Sequence, residues 1–138
     1  MNDPFDLERF LEAQSVFEDV QAELRRGAKV GHWMWFVFPQ IRGLGHSGMA
    51  RRFAISSRAE AEAYLAHPIL GSRLKECTRL VNLAKGRSIE EIFGVIDSLK
   101  FRSSMTLFAQ VAGDNTVFTA ALDKYFGGQP DKLTLDRL

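Results

Sequence analysis

The stretch Trp33-Met34-Trp35-Phe36-Val37-Phe38-Pro39 decides the fold class. It is the longest apolar run in the chain, long enough for a buried strand and far short of the ~20 residues a membrane-spanning helix needs. A strand, however, requires a partner, and no second β-rich segment offers one. What surrounds the run is helix-start chemistry. Ser-x-x-Glu, which lets a serine hydroxyl and a glutamate side chain satisfy orphan backbone donors, occurs at Ser15/Glu18, Ser57/Glu60 and Ser88/Glu91.

Working outward, Ser15 is expected to open a helix with Phe17, Val20 and Leu24 on one face, stopped by Gly27. Ser57 opens another that ends near His67-Pro68. Pro68 then suits the first turn of a helix whose stripe is Leu70, Leu74, Cys77, Val81 and Ala84, closed by Gly86. Ser88 begins a short turn ending at Gly94. Two more helices are predicted from about Asp97 to Ala112 and about Asn115 to Phe126, while Asp6 and Asp131 are expected to cap short terminal turns. The prediction is an all-α chain: one domain over residues 1–138, a compact orthogonal bundle of about six to eight short helices with no substantial sheet.

Composition narrows the function classes. Of 138 residues, 46% are hydrophobic and 25% charged, the balance of a globular protein rather than a disordered one. Eighteen basic and seventeen acidic residues leave a net charge of +1, so bulk charge argues for neither nucleic acid nor acidic lipid. Arg25-Arg26, Arg51-Arg52 and Arg73 are scattered among acidic residues, which makes nucleic-acid binding the weakest reading. One cysteine, Cys77, allows no internal disulfide, and the start Met1-Asn2-Asp3-Pro4 carries no basic segment leading into an apolar one; the expectation is a cytoplasmic protein. His32, His46 and His67 are far apart, with no His-x-x-x-His or Cys-x-x-Cys spacing, so neither a metal site nor a cofactor is expected.

Two segments carry candidate chemistry. The first runs from His32 through both tryptophans to Gln40, Arg42, Gly43-Leu44-Gly45 and Ser47. Its aromatic part reads as core or as the wall of a pocket, since indole rings bury large apolar area yet each holds an N–H donor. The glycines let the backbone approach a ligand, Ser47 is placed to cap the next helix, and Arg42, Arg51 and Arg52 would add charge to an anion site. In the second segment, Lys100, Ser103 and Ser104 begin a helix whose apolar arc holds Phe101, Met105, Phe108 and Ala112. Lys100 and Ser104 fall within that arc when it is widened by Leu107 and Val111. Either the lysine snorkels and the serine bonds its own backbone, or both face a polar ligand. His32, beside the aromatic run, is the candidate acid or base, and Cys77 reads as buried and inert.

The run His32 to Gln40, the Gly43-Leu44-Gly45 turn, Tyr64-Leu65-Ala66-His67-Pro68, and Lys100 followed by Ser103-Ser104-Met105-Thr106-Leu107-Phe108 resemble a bacterial family catalogued as domain of unknown function 1810, over nearly the whole chain from Asp3-Pro4-Phe5. The resemblance implies a small, mainly α-helical fold and no particular reaction. The family's recurring polar positions fall here on His32, Gln40, Ser47, His67, Lys100, Ser103 and Ser104.

The leading expectation is a domain that binds a small molecule, nucleotide or other anion in a cleft between residues 32–47 and the 100–104 helix start. The ligand would be phosphate-bearing, with Trp33 or Trp35 as the aromatic wall. His32, Trp35, Gln40, Arg42, Gly43, Gly45, Ser47, Lys100, Ser103 and Ser104 are the site candidates. Should it catalyse, His32 is the acid or base. The alternative is a module that docks another protein through an exposed aromatic patch.

Overall fold

The computed structural model describes residues 2–138, so Met1, the first residue of the start in which no secretory segment was read, lies outside it. Among the described residues the elements are α1 (Glu8–Ala13), a 3-10 turn (Gln14–Val16), α2 (Phe17–Arg26), α3 (Met34–Val37), α4 (Gly48–Arg52), α5 (Arg58–Ala66), α6 (Leu70–Leu83), α7 (Ile89–Phe93), α8 (Val95–Val111), α9 (Thr116–Phe126) and α10 (Lys132–Asp136). These α segments number ten, above the expected six to eight, because α1, α3, α4, α7 and α10 have six residues or fewer.

The deciding stretch is not a strand. Met34–Val37 forms one helical turn, and Phe38 leaves the helical region at φ −124°, ψ 72°, as the residue before a proline must. Just beyond, Ile41 makes an isolated parallel bridge to Ile55: the Arg42 N–H donates to the Ile55 carbonyl and the Ile55 N–H to the Gln40 carbonyl, both at 2.8 Å. No sheet grows from it among the described residues.

Capping follows the sequence in most places. Ser57 accepts from the Glu60 N–H, Ser47 from Ala50 and Asp131 from Thr134, while Ser88 and Glu91 form a complete reciprocal box. Three expectations need correction. Ser15 caps nothing, because α2 continues from a 3-10 turn with Val16 at the boundary. Asp6 does not cap α1 either; Asp3 does, accepting from the Leu7 and Glu8 N–H groups at 2.8 and 3.0 Å. Pro68 precedes α6 instead of opening it, and the cap there is His67, whose Nδ1 accepts from the Ile69 and Leu70 N–H groups, both at 3.2 Å.

The core is built around α8, which packs on α5, α7, α9 and α10, and around α6, which packs on α2, α5 and α9. Rings link the pieces. Phe38 meets Phe101 edge-on at 5.0 Å, Phe93 lies 5.1 Å from Phe101, and Phe10 meets Tyr64 edge-on at 5.0 Å. Each such pair contributes about 0.5–1.5 kcal/mol beyond area burial. The aromatic run therefore belongs to the core: Trp33, Met34, Phe36, Val37 and Phe38 are all buried, and only Trp35 keeps an exposed edge. No described helix is long and apolar enough to cross a membrane.

Candidate functional site

The orientation of the aromatic run is set by Glu23, on the last turn of α2. Its Oε1 accepts from the Val30 N–H at 2.6 Å, the Gly31 N–H at 2.8 Å and the Trp33 indole at 3.0 Å. Burial opposes ionisation of Glu23, yet those donors outweigh it and hold the carboxyl below the usual carboxylate range.

This brings the run's polar edge against the start of α8. Lys29 Nζ pairs with Asp97 Oδ2 at 2.8 Å and lies 5.2 Å from the Trp33 ring, while Lys100 Nζ is 3.6 Å from Asp97 Oδ1 and 5.2 Å from the Trp35 ring. Two ammonium groups thus share one carboxylate, each resting on an indole face. The two segments expected to approach each other do meet, but the space that Trp35, Gln40, Gly43 and Gly45 share is a crevice of about 10 Å³, room for a single water. The ligand-sized cleft expected there is closed.

The other candidates disperse. His32 is exposed and its side chain makes no hydrogen bond among the described residues. Ser47 is committed to capping α4, and the single Ser103 hydroxyl proton is shared between the Leu99 carbonyl (3.1 Å) and Asp131 Oδ2 (2.9 Å), tying α8 to α10. Ser104 is fully buried, and its Oγ has no hydrogen-bond partner. Burial raises the Tyr64 phenol and pushes the Cys77 thiol up to about 12, which makes the cysteine inert at neutral pH.

Arg42 points elsewhere, into a groove of about 390 Å³ lined by Phe5, Asp6, Arg9, Arg51, Arg52, Ser56 and Glu60 among others. Four guanidiniums face one space, but they are not equivalent. Arg9 uses all five of its N–H groups: Nε on the Arg52 carbonyl, Nη1 on the Phe5 and Asp6 carbonyls, Nη2 on the Ala54 carbonyl and Glu60 Oε2. The buried Glu60 also receives the Ser56 N–H and hydroxyl, so this pair is internally satisfied and serves as the groove's wall. Arg42, Arg51 and Arg52 are exposed and form no ion pair among the described residues. Unneutralised guanidiniums around a concave surface are the arrangement that recognises phosphate or carboxylate, because each can present a two-pronged donor. Sequence reasoning flagged Arg42, Arg51 and Arg52 but missed Arg9, Asp6 and Ser56, which arrive from distant parts of the chain and carry no local motif.

A larger groove, about 650 Å³, runs between α6 and α9, with Lys75, Glu76, Arg79, Asn82, Asp114 and Val117 in its wall. Size favours it; charge does not. Arg79 grips Glu76 at 2.7 and 3.0 Å, and Asp114 accepts from the Thr116 hydroxyl and N–H, so its strongest groups are already satisfied. The large exposed apolar side chains are aliphatic, Val95, Ile96 and Leu99 on the first turns of α8 among them, and none is aromatic. Phe5, Phe17, Trp35, Tyr125 and Phe126 are partly buried and pack against the core.

Comparisons with known proteins agree with this architecture. The chain superposes with a TM-score of 0.97 on the crystal structure, at 1.38 Å, of the conserved hypothetical protein Rv1873 from Mycobacterium tuberculosis, with 60% identity over 99% of this chain and 98% of that one. No curated protein matches the chain significantly. A family model described as "Protein of unknown function (DUF1810)" matches residues 4–138, and with nearly the whole length covered and the helical fold shared, the chain belongs to the DUF1810 family.

Proposed function

We propose that this chain, acting as one helical domain over residues 1–138, binds a phosphate-bearing small molecule in the groove lined by Arg42, Arg51 and Arg52. The observation that carries the reading is the contrast within that groove: Arg9 is saturated by protein acceptors, whereas its three neighbours have none. A folded protein gains nothing in stability from clustering three unpaired cations, which repel one another. Anion binding relieves that repulsion. The groove's volume lies within the range of about 300–1,000 Å³ usual for small-molecule sites.

In this reading Gly43 to Ser47 joins Arg42 to the helix that carries Arg51 and Arg52 instead of holding the anion, Lys100 and Ser103 support the fold, and His32 and Ser104 take no part in binding. The binding role needs no acid or base. The test is calorimetric titration of the full chain with inorganic phosphate and with adenosine monophosphate at fixed ionic strength, alongside the Arg51→Gln/Arg52→Gln variant. Saturable binding is expected, weakened at least about tenfold in the variant while its circular dichroism stays unchanged. Binding that survives the double substitution, or none in the parent chain, overturns the reading.

A further inference from the structure

The groove that Arg42, Arg51 and Arg52 line also holds an acid. Asp6 is in its wall and exposed, and its carboxylate makes no hydrogen bond and no ion pair among the described residues. The groove's other acid, Glu60, is by contrast spent on Arg9 and Ser56.

Asp6 is held where it stands. Among the described residues it is the one non-glycine with positive φ, 52°, a conformation that side chains disfavour. Its N–H donates to the Asp3 carbonyl at 3.1 Å, and its carbonyl accepts from Arg9 Nη1 at 2.9 Å. The same guanidinium donates through Nε to the Arg52 carbonyl at 2.8 Å, so one planar group fixes the backbone of an acid and the backbone of a base. Their side chains nevertheless stay unpaired, which leaves the groove with a cationic part and a separate acceptor.

A carboxylate repels phosphate, so a site for phosphate alone gains from losing Asp6. Its presence is accounted for when the same ligand brings donors to it. Resting on the phosphate reading of this groove, we infer that the phosphate is esterified to a sugar, whose hydroxyls donate to the Asp6 carboxylate while Arg42, Arg51 and Arg52 take the phosphate. Charge points to hydroxyls and away from an amine. With Arg9 and Glu60 paired, three guanidiniums and one carboxylate leave an excess of two positive charges, which a phosphate ester of about two negative charges balances only if its other donors are neutral. A carboxylate accepts through two oxygens and so suits neighbouring hydroxyls, and a groove of about 390 Å³ has room for more than the phosphate. Sugar phosphates and nucleotides share this chemistry.

The test compares methyl phosphate, ribose 5-phosphate and adenosine monophosphate by calorimetry on the full chain at constant ionic strength. Ribose 5-phosphate is expected to bind at least about tenfold more tightly than methyl phosphate, because hydrogen bonds to a charged acceptor are strong. Asp6→Gly removes the acceptor and suits the left-handed backbone. It should bring the two ligands within about twofold of each other without weakening methyl phosphate. Asp123→Asn, which deletes an equal charge from an exposed position on α9 outside the groove, should leave the preference intact. Adenosine monophosphate binding more tightly than ribose 5-phosphate identifies a nucleotide as the source of the sugar; equal or weaker binding identifies the sugar phosphate itself as what is read. Equal affinity for methyl phosphate and ribose 5-phosphate in the parent chain, or a preference that survives Asp6→Gly, overturns the inference. If none of the three binds, the phosphate reading itself falls.

Discussion

Replacing Glu23 by glutamine tests the contact that orients the aromatic run. Glutamine keeps the shape and one acceptor oxygen but loses the charge that three donors address: Val30 N–H, Gly31 N–H and the Trp33 indole. A hydrogen bond to a charged group contributes about 1.5–3 kcal/mol. The three do not add, because two involve partly buried backbone groups that water can serve after substitution, whereas the indole bond is buried. A loss of about 2 kcal/mol is expected at pH 7, which for a chain of this size lowers Tm by about 6–8 °C. Because the folded carboxyl titrates below its unfolded value, its contribution is complete above the ordinary carboxylate range and vanishes as pH falls through the folded-state value. The gap between parent and variant should therefore close on acidification. Thermal melts followed by tryptophan fluorescence and far-ultraviolet dichroism from pH 7 downward measure it. A deficit under about 0.5 kcal/mol at pH 7, or one that stays constant as the solution is acidified, refutes the reasoning.

Three further outcomes follow from single contacts. A Cβ at Gly71 would run into the Leu65 carbonyl, so Gly71→Ala should destabilise by about 1–3 kcal/mol in chemical denaturation, despite alanine's better helix propensity. Asp97→Asn strips the nearly buried Lys29 of its counter-ion, whereas Lys100→Met leaves the Lys29–Asp97 pair intact; the first should cost at least about 1 kcal/mol more than the second in the same assay. Cys77 should not react with a thiol-specific disulfide reagent in the native protein and should titrate as one thiol after unfolding in guanidinium.

The arginine groove shows why the candidate site was only partly legible. Gly43-Leu44-Gly45 and its arginines stood out in the sequence because glycine and charge are local signals, and Ser47 caps its helix as its position predicted. The same reading centred the site on the space that Trp35, Gln40, Gly43 and Gly45 share, a crevice of about 10 Å³, whereas Arg42 lines the groove beside it. Whether Arg9 is free to bind a ligand depends on acceptors at residues 52, 54 and 60, which is not a property of a sequence window. For Lys100, periodicity located the residue within the arc, but only packing showed that Trp35 and Asp97 occupy its charge.

Local chemistry was enough to determine the helices: serine caps at 47, 57 and 88, the left-handed glycines 27 and 127, and the absence of a partner strand for residues 33–39 each act within a few residues. Tertiary structure decided which polar groups remain unsatisfied, since a side chain's hydrogen-bond capacity is spent on whatever the fold brings near it. In this protein the guanidiniums of Arg42, Arg51 and Arg52 are among the groups left unspent, while Arg9 in the same groove is spent on acceptors at residues 5, 6, 52, 54 and 60.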